Sequence, residues 1–263
     1  MLERMLRAGA ASFVGALVLA CCASCGSFSS SAPDGTSDAS TDAGADAPSE
    51  ASPGATEITR VGVSTSAFSS TTSASVTLAN LPTAQPGDLL YAVLVWSTPS
   101  TAPIAAPAGW TLRGSIDDGF EGRGASFFRV VRAGDAATEH VFPLPTAARA
   151  GGVLVTYRGV FAAPQHVVVE RAQSFSTNEG TQTVPSLDAA ERGHMLLVVA
   201  STYGDPMVPI TIAPALTPVA NVGRLAAFDA PRSAGATGDY AVRDSFVALR
   251  ATLTFLTVFR PAR

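Results

Sequence analysis

Pro86 to Trp96 reads PGDLLYAVLVW, a Pro-Gly-Asp turn that runs straight into apolar residues with no polar interruption. A chain carrying such a run must cover it on every side. The run is too short to span a bilayer as a helix. Turn residues bound it, which favours a central strand buried on both faces over a buried helix. A fainter copy, RGHMLLVVASTY, occupies Arg192–Tyr203. The fold therefore has to bury two such strands.

The surrounding sequence supplies short apolar or alternating runs separated by Gly, Pro, Asn and Asp. In the first half they are Ile58–Val63, Ser75–Leu81, Asp88–Trp96, Trp110–Ile116, Ala125–Arg132, His140–Phe142 and Gly152–Tyr157. The second half offers Val167–Ala172, Gln182–Leu187, Met195–Thr202, Ile210–Ala213, Val219–Ala227, Asp239–Val242 and Ala251–Phe259. Thr252–Phe259 nearly alternates, as a strand with one packed and one wet face does. The halves also align. Thr77, Leu78, Leu81, Ala84 and Gly87 match Thr183, Val184, Leu187, Ala190 and Gly193 at one constant spacing, and LVTYR at 154–158 matches LTVFR at 256–260. Repetition over roughly a hundred residues is too long for a solenoid and suits half-domains or tandem sandwiches. The expectation is an all-β fold, an antiparallel two-sheet sandwich built from two repeats, about 57–160 and 161–263. The junction Gly159–Pro164 is short and apolar, which favours one domain over two hinged ones.

Ahead of that body lie two segments of different character. Met1–Arg7 is short and basic, and Ala8–Ala20 is an apolar run of signal-peptide length. It ends Val18-Leu19-Ala20-Cys21, which resembles a bacterial lipobox. The resemblance implies a signal peptide over 1–20, diacylglycerol on the Cys21 thiol, cleavage before Cys21, and acylation of the new terminus. More than one acyl chain gives a stable membrane anchor. With Cys rather than Asp at position 22, resemblance to Gram-negative lipoproteins implies the outer membrane. Ordinary secretory cleavage near Ala23 or Ser24 is the alternative. Residues 21–56 are Ser, Ala, Asp, Gly and Pro with almost nothing apolar, a composition that cannot offset its ordering entropy and predicts a disordered linker. As a flexible coil it spans roughly 30 Å.

Composition removes several kinds of chemistry. The cysteines are Cys21, Cys22 and Cys25, so the body has no disulfide and no thiolate metal site. There is no lysine, hence no Schiff-base chemistry. The net charge is −4, and the acids outnumber arginines chiefly in the linker, at Asp34, Asp38, Asp42, Asp46 and Glu50. With no basic patch, nucleic acid is not an expected partner.

Four further segments carry a resemblance: Gly87-Asp88-Leu89-Leu90, Pro107–Leu112, Phe128-Arg129-Val130 and Val155–Val160. Together they resemble a β-sandwich module of bacterial secreted, surface and phage-tail-associated proteins, whose strands read GDLL, PxGWT, a YY-type strand and AYRGV, with a weaker repeat ending ALRPA. Val258–Ala262 is similar to that ending. The resemblance covers nearly all of Ile58–Arg263. It implies a jelly-roll-like sandwich and, more loosely, adhesion or ligand binding.

Within the body, Asp117-Asp118-Gly119-Phe120-Glu121-Gly122-Arg123-Gly124 is the densest polar cluster. Asp117, Asp118 and Glu121 are candidates for ligand contacts or a structural Ca²⁺; the competing reading is a hairpin loop, since Asp-Gly is a strong turn signal. Trp96 and Trp110 are the aromatics suited to stacking on sugar rings, Trp96 the better candidate because Trp110 caps the core at a strand start. His140, His166 and His194 fall at no metal-ligand spacing, and G-x-S-x-G, H-E-x-x-H, the P-loop and G-x-G-x-x-G do not occur. Arg158 and Arg260 occupy equivalent strand ends and are expected to pair with a carboxylate or carbonyls. No catalytic residue, cofactor or catalytic metal is expected. The reading is an exported, lipid-anchored surface protein that binds carbohydrate or protein through loops at one end, drawn from 117–124, 97–106 and 203–208. A hydrolase of polysaccharide or peptidoglycan and a structural envelope component are the alternatives; two facing carboxylates in a cleft would favour the hydrolase.

Overall fold

The computed structural model describes residues 56–118, 122–135, 139–161, 167–177, 181–187, 193–202, 210–232, 236–244 and 250–262. Cys21, the linker, Glu121, His166 and the 203–208 loop lie outside the described residues. The described chain is all-β, built of antiparallel sheets that do not close into a barrel. The first half forms β1 (Thr59–Ser66), β2 (Ser73–Ala79), β3 (Leu89–Ser97), β4 (Thr111–Asp117), β5 (Gly122–Val130) and β6 (Glu139–Arg158). In the second half come β7 (Val167–Thr177), β8 (Thr181–Val184), β9 (Met195–Thr202), β10 (Ile210–Ala213), β11 (Thr217–Val222), β12 (Leu225–Pro231), β13 (Tyr240–Asp244) and β14 (Arg250–Phe259).

The repeat seen in the sequence is a repeat of sheets. One sheet has a five-stranded path, β1-β6-β3-β5-β4, with β2 pairing on β6 off that path, and the other five-stranded sheet, read in the same sense, runs β7-β14-β9-β12-β11. Each strand of one path has its counterpart in the other, and the two apolar runs, β3 and β9, hold the central place in each.

Alternation along β3 then explains the layering. Tyr91, Val93 and Val95 point one way and join Leu197, Val199, Leu253, Phe255 and Phe259 in one core, so the five-stranded sheets pack face to face. Leu90, Ala92, Leu94 and Trp96 point the other way, into a second core with Val76, Leu78, Ile104, Trp110, Phe142 and Leu144. On β9, Leu196, Val198 and Ala200 likewise meet Val184, Ile210, Ile212, Tyr240 and Val242 from the small sheet β10-β13-β8. The sandwich is therefore deeper than two sheets: each repeat adds an outer layer to its five-stranded sheet. This is why β3 is buried along its length up to Trp96, at about 1.5–3 kcal/mol for each large apolar side chain removed from water.

Polar groups cross the central core in pairs. Tyr91 Oη and Thr257 Oγ1 lie 3.0 Å apart. Asp229 on β12 accepts from Arg60 Nη1 at 2.8 Å and from Tyr157 Oη at 3.0 Å, so both carboxylate oxygens of a buried acid are satisfied.

Two strand assignments differ from the sequence expectation. His140–Phe142 and Gly152–Tyr157 belong to a single 20-residue strand, β6. Its first part pairs with β2 in the outer layer and its last part with β1 and β3 in the five-stranded sheet. Pro143 and Pro145, which cannot donate to a ladder, fall near the changeover, where the β2–β6 register slips. Conversely, Val219–Ala227 is two strands, because Gly223 takes φ of 62° and turns the chain between Val222 and Leu225.

The start and the end of the body meet at the junction between repeats. Thr56 N donates to Ala262 O at 3.0 Å, Phe161 N to Arg260 O at 2.8 Å and Ala262 N to Gly159 O at 2.6 Å.

Candidate functional site

Backbone register builds the site. Trp96 on β3 lies opposite Arg123 on β5, and Arg123 lies opposite Asp117 on β4. Opposed residues of antiparallel strands share a face. An aromatic, a guanidinium and a carboxylate thus form a row across three strands, on the face turned away from the other repeat. Arg123 and Asp117 are ion-paired.

The loop after β3 folds back over this row. Two of its own hydroxyls and one from β6 hold it: Ser100 N donates to Thr98 Oγ1 at 3.2 Å, Ala102 N to Ser100 Oγ at 3.3 Å, and Thr98 Oγ1 lies 3.1 Å from Thr146 Oγ1 of β6. Ile104 and Trp110 anchor it in the outer core. What remains is a cleft of about 260 Å³ lined by Trp96, Thr101–Ile104, Ser115–Asp117, Arg123 and Gly124.

Described residues from two of the segments singled out in the sequence, 101–104 from 97–106 and 117, 123 and 124 from 117–124, therefore line one cleft. The individual residues behave less simply. Trp96 is only 2% exposed, so it contributes wall to the cleft and offers no open face for stacking on a sugar. Asp118 closes the hairpin: both of its carboxylate oxygens accept the Gly122 amide at 2.9 Å, and its own amide donates to Gly122 O. With Asp117 on Arg123 and Asp118 on the turn amide, the hairpin uses the two described carboxylates that were candidates for Ca²⁺. Among the described residues no three His, Cys, Asp or Glu side chains are grouped to hold a metal ion.

Arg123 is the residue the sequence reading passed over. Its side chain is 9% exposed, against 45% for Asp117. Alternation within GRGASFF was the available signal, since it places Arg123 on the same face as Ala125 and Phe127. What it lacked was the register that sets Arg123 beside Trp96.

The remaining candidates are structural. Arg158 makes a two-pronged contact with Asp88, at 2.9 and 2.8 Å, and a third bond to Thr83 O at 3.3 Å. In the second repeat His194 replaces Asp88, and Arg260 lies 6.0 Å from the Phe161 ring centre. Trp110 meets His140 and Phe142 edge-on at 5.1 and 4.9 Å. Burial, with the nearby Arg129 charge, pulls the His140 pKa below that of an ordinary imidazole.

Comparison with protein-family models, curated proteins and solved structures finds no match for this chain.

Proposed function

We propose that this chain is an exported lipoprotein, acylated at Cys21, whose β-sandwich body binds a ligand at the cell surface through the Trp96–Asp117–Arg123 cleft. The observation that carries this reading is where the cleft sits. Leu89, the first residue of β3, pairs with Tyr157 beside the Gly159 junction, where Thr56 enters the body. Trp96 is seven residues further along, roughly 23 Å at the rise of a strand. A tether entering at Thr56 and a cleft at the far end of the strands suit a module that faces outward from its anchor. The lipobox-like VLAC sequence and the polar linker support the anchor. Asp117 is the one carboxylate among the described cleft residues and is held by Arg123. This supports binding over two-carboxylate hydrolysis.

Two measurements test the proposal. Globomycin is expected to block maturation and labelled palmitate to enter the protein; a Cys21→Ser variant with unchanged processing and membrane fractionation overturns the anchor. The full chain is expected to bind on a glycan array, and Ser115→Trp, which fills the cleft from an exposed position, to abolish that binding. Unaltered binding by Ser115→Trp overturns the cleft. Turnover on a polysaccharide panel overturns the binding role in favour of a hydrolase.

A further inference from the structure

We infer that the cleft takes a hexuronate, an acidic sugar residue whose carboxylate replaces that of Asp117 on Arg123. The inference deepens the binding role proposed above and rests on it. A guanidinium as buried as that of Arg123 needs an anion beside it. The anion present, Asp117, stands at the cleft rim with nearly half of its side chain in water. Exchange therefore costs little: the Asp117 carboxylate turns outward and is solvated, while the incoming carboxylate meets a fork already oriented for it.

The other walls fix the rest of the ligand. Thr101 and Ser115 offer hydroxyls to hydroxyls, and Ile104 offers an apolar surface. One carboxylate, several hydroxyls and a C–H face describe a uronic acid. The volume lies below the usual range for drug-sized ligands, about 300–1,000 Å³, and admits one ring.

The test is titration of the full chain with D-glucuronate and D-galacturonate, against D-glucose, D-galactose and acetate, followed by amide chemical shifts. The uronates are expected to shift residues 115–118 and 122–124 and to weaken with added salt, while the neutral sugars do neither. Asp117→Asn removes the internal competitor and is expected to tighten uronate binding about three- to tenfold. Arg123→Gln is expected to abolish it; because that change can also unfold the chain, Ser115→Trp must abolish it too. Equal binding of neutral sugars, unaffected by Asp117→Asn, overturns the acidic ligand and leaves the binding cleft standing. Acetate binding as tightly as the uronates overturns the sugar. Array binding without any shift at 115–124 overturns the cleft itself.

Discussion

At the scale of single residues, two glycines with similar backbones separate strain from contact. Gly87 has φ of 94° with nothing within 4 Å of where a Cβ would stand; Gly159 has φ of 77°, and its Cβ would lie 2.5 Å from Glu57 O. Gly87→Ala is expected to cost about 1–2 kcal/mol, the strain of a left-handed residue. Gly159→Ala adds a backbone clash and is expected to cost more, measured by urea unfolding; equal costs would refute the contact. His140 gives a pH-dependent case. Its folded pKa is depressed, chiefly by burial, so the unfolded chain binds its proton first as pH falls. Stability is then lost from about pH 6.5 downward until the folded pKa is reached, at up to about 1.4 kcal/mol per pH unit. His140→Phe is expected to flatten that slope, and an unchanged slope would assign it to another group.

Among elements, β6 is the most informative. From Glu139 to Leu144 its residues alternate between exposed and buried, with Val141 45% exposed and Phe142 fully buried. Val141→Thr is expected to change stability by less than about 0.5 kcal/mol, and Phe142→Ala to cost about 3–5 kcal/mol, both read from denaturation midpoints. A strand at His140–Phe142 was legible, as were the bounds of β9 and β10; the wet face expected along Thr252–Phe259 is absent, because the outer layer buries that strand on both faces. The continuity of β6 was not legible. Its prolines look like strand ends in a sequence, yet they sit where the strand passes between layers and needs no ladder bond. Val219–Ala227 failed for the converse reason: one glycine turn inside an apolar run leaves the composition unchanged while reversing the chain. The cleft was legible only as loops. Which side chains meet in it depends on the pairing of β3, β4 and β5, and a run of residues carries no record of its partners.

For the molecule as a whole, the decisive contact is between the two five-stranded sheets. The Tyr157–Asp229 hydrogen bond crosses it. Burial raises the Asp229 pKa, with Arg60 opposing, and pushes Tyr157 well up. A double-mutant cycle of Tyr157→Phe and Asp229→Asn is expected to show coupling of about 1 kcal/mol, with a single unfolding transition throughout. Two transitions, or no coupling, would mean that the repeats fold separately. The meeting of Thr56, Gly159 and Ala262 has one more consequence. Since Thr56 N bonds directly to Ala262 O, a short peptide can splice the last strand to the first, and new ends can be opened between Phe161 and Val167. Such a circular permutant would synthesise the second half before the first and keep the fourteen described strands intact. For this architecture, which half the ribosome makes first should not matter to the finished shape.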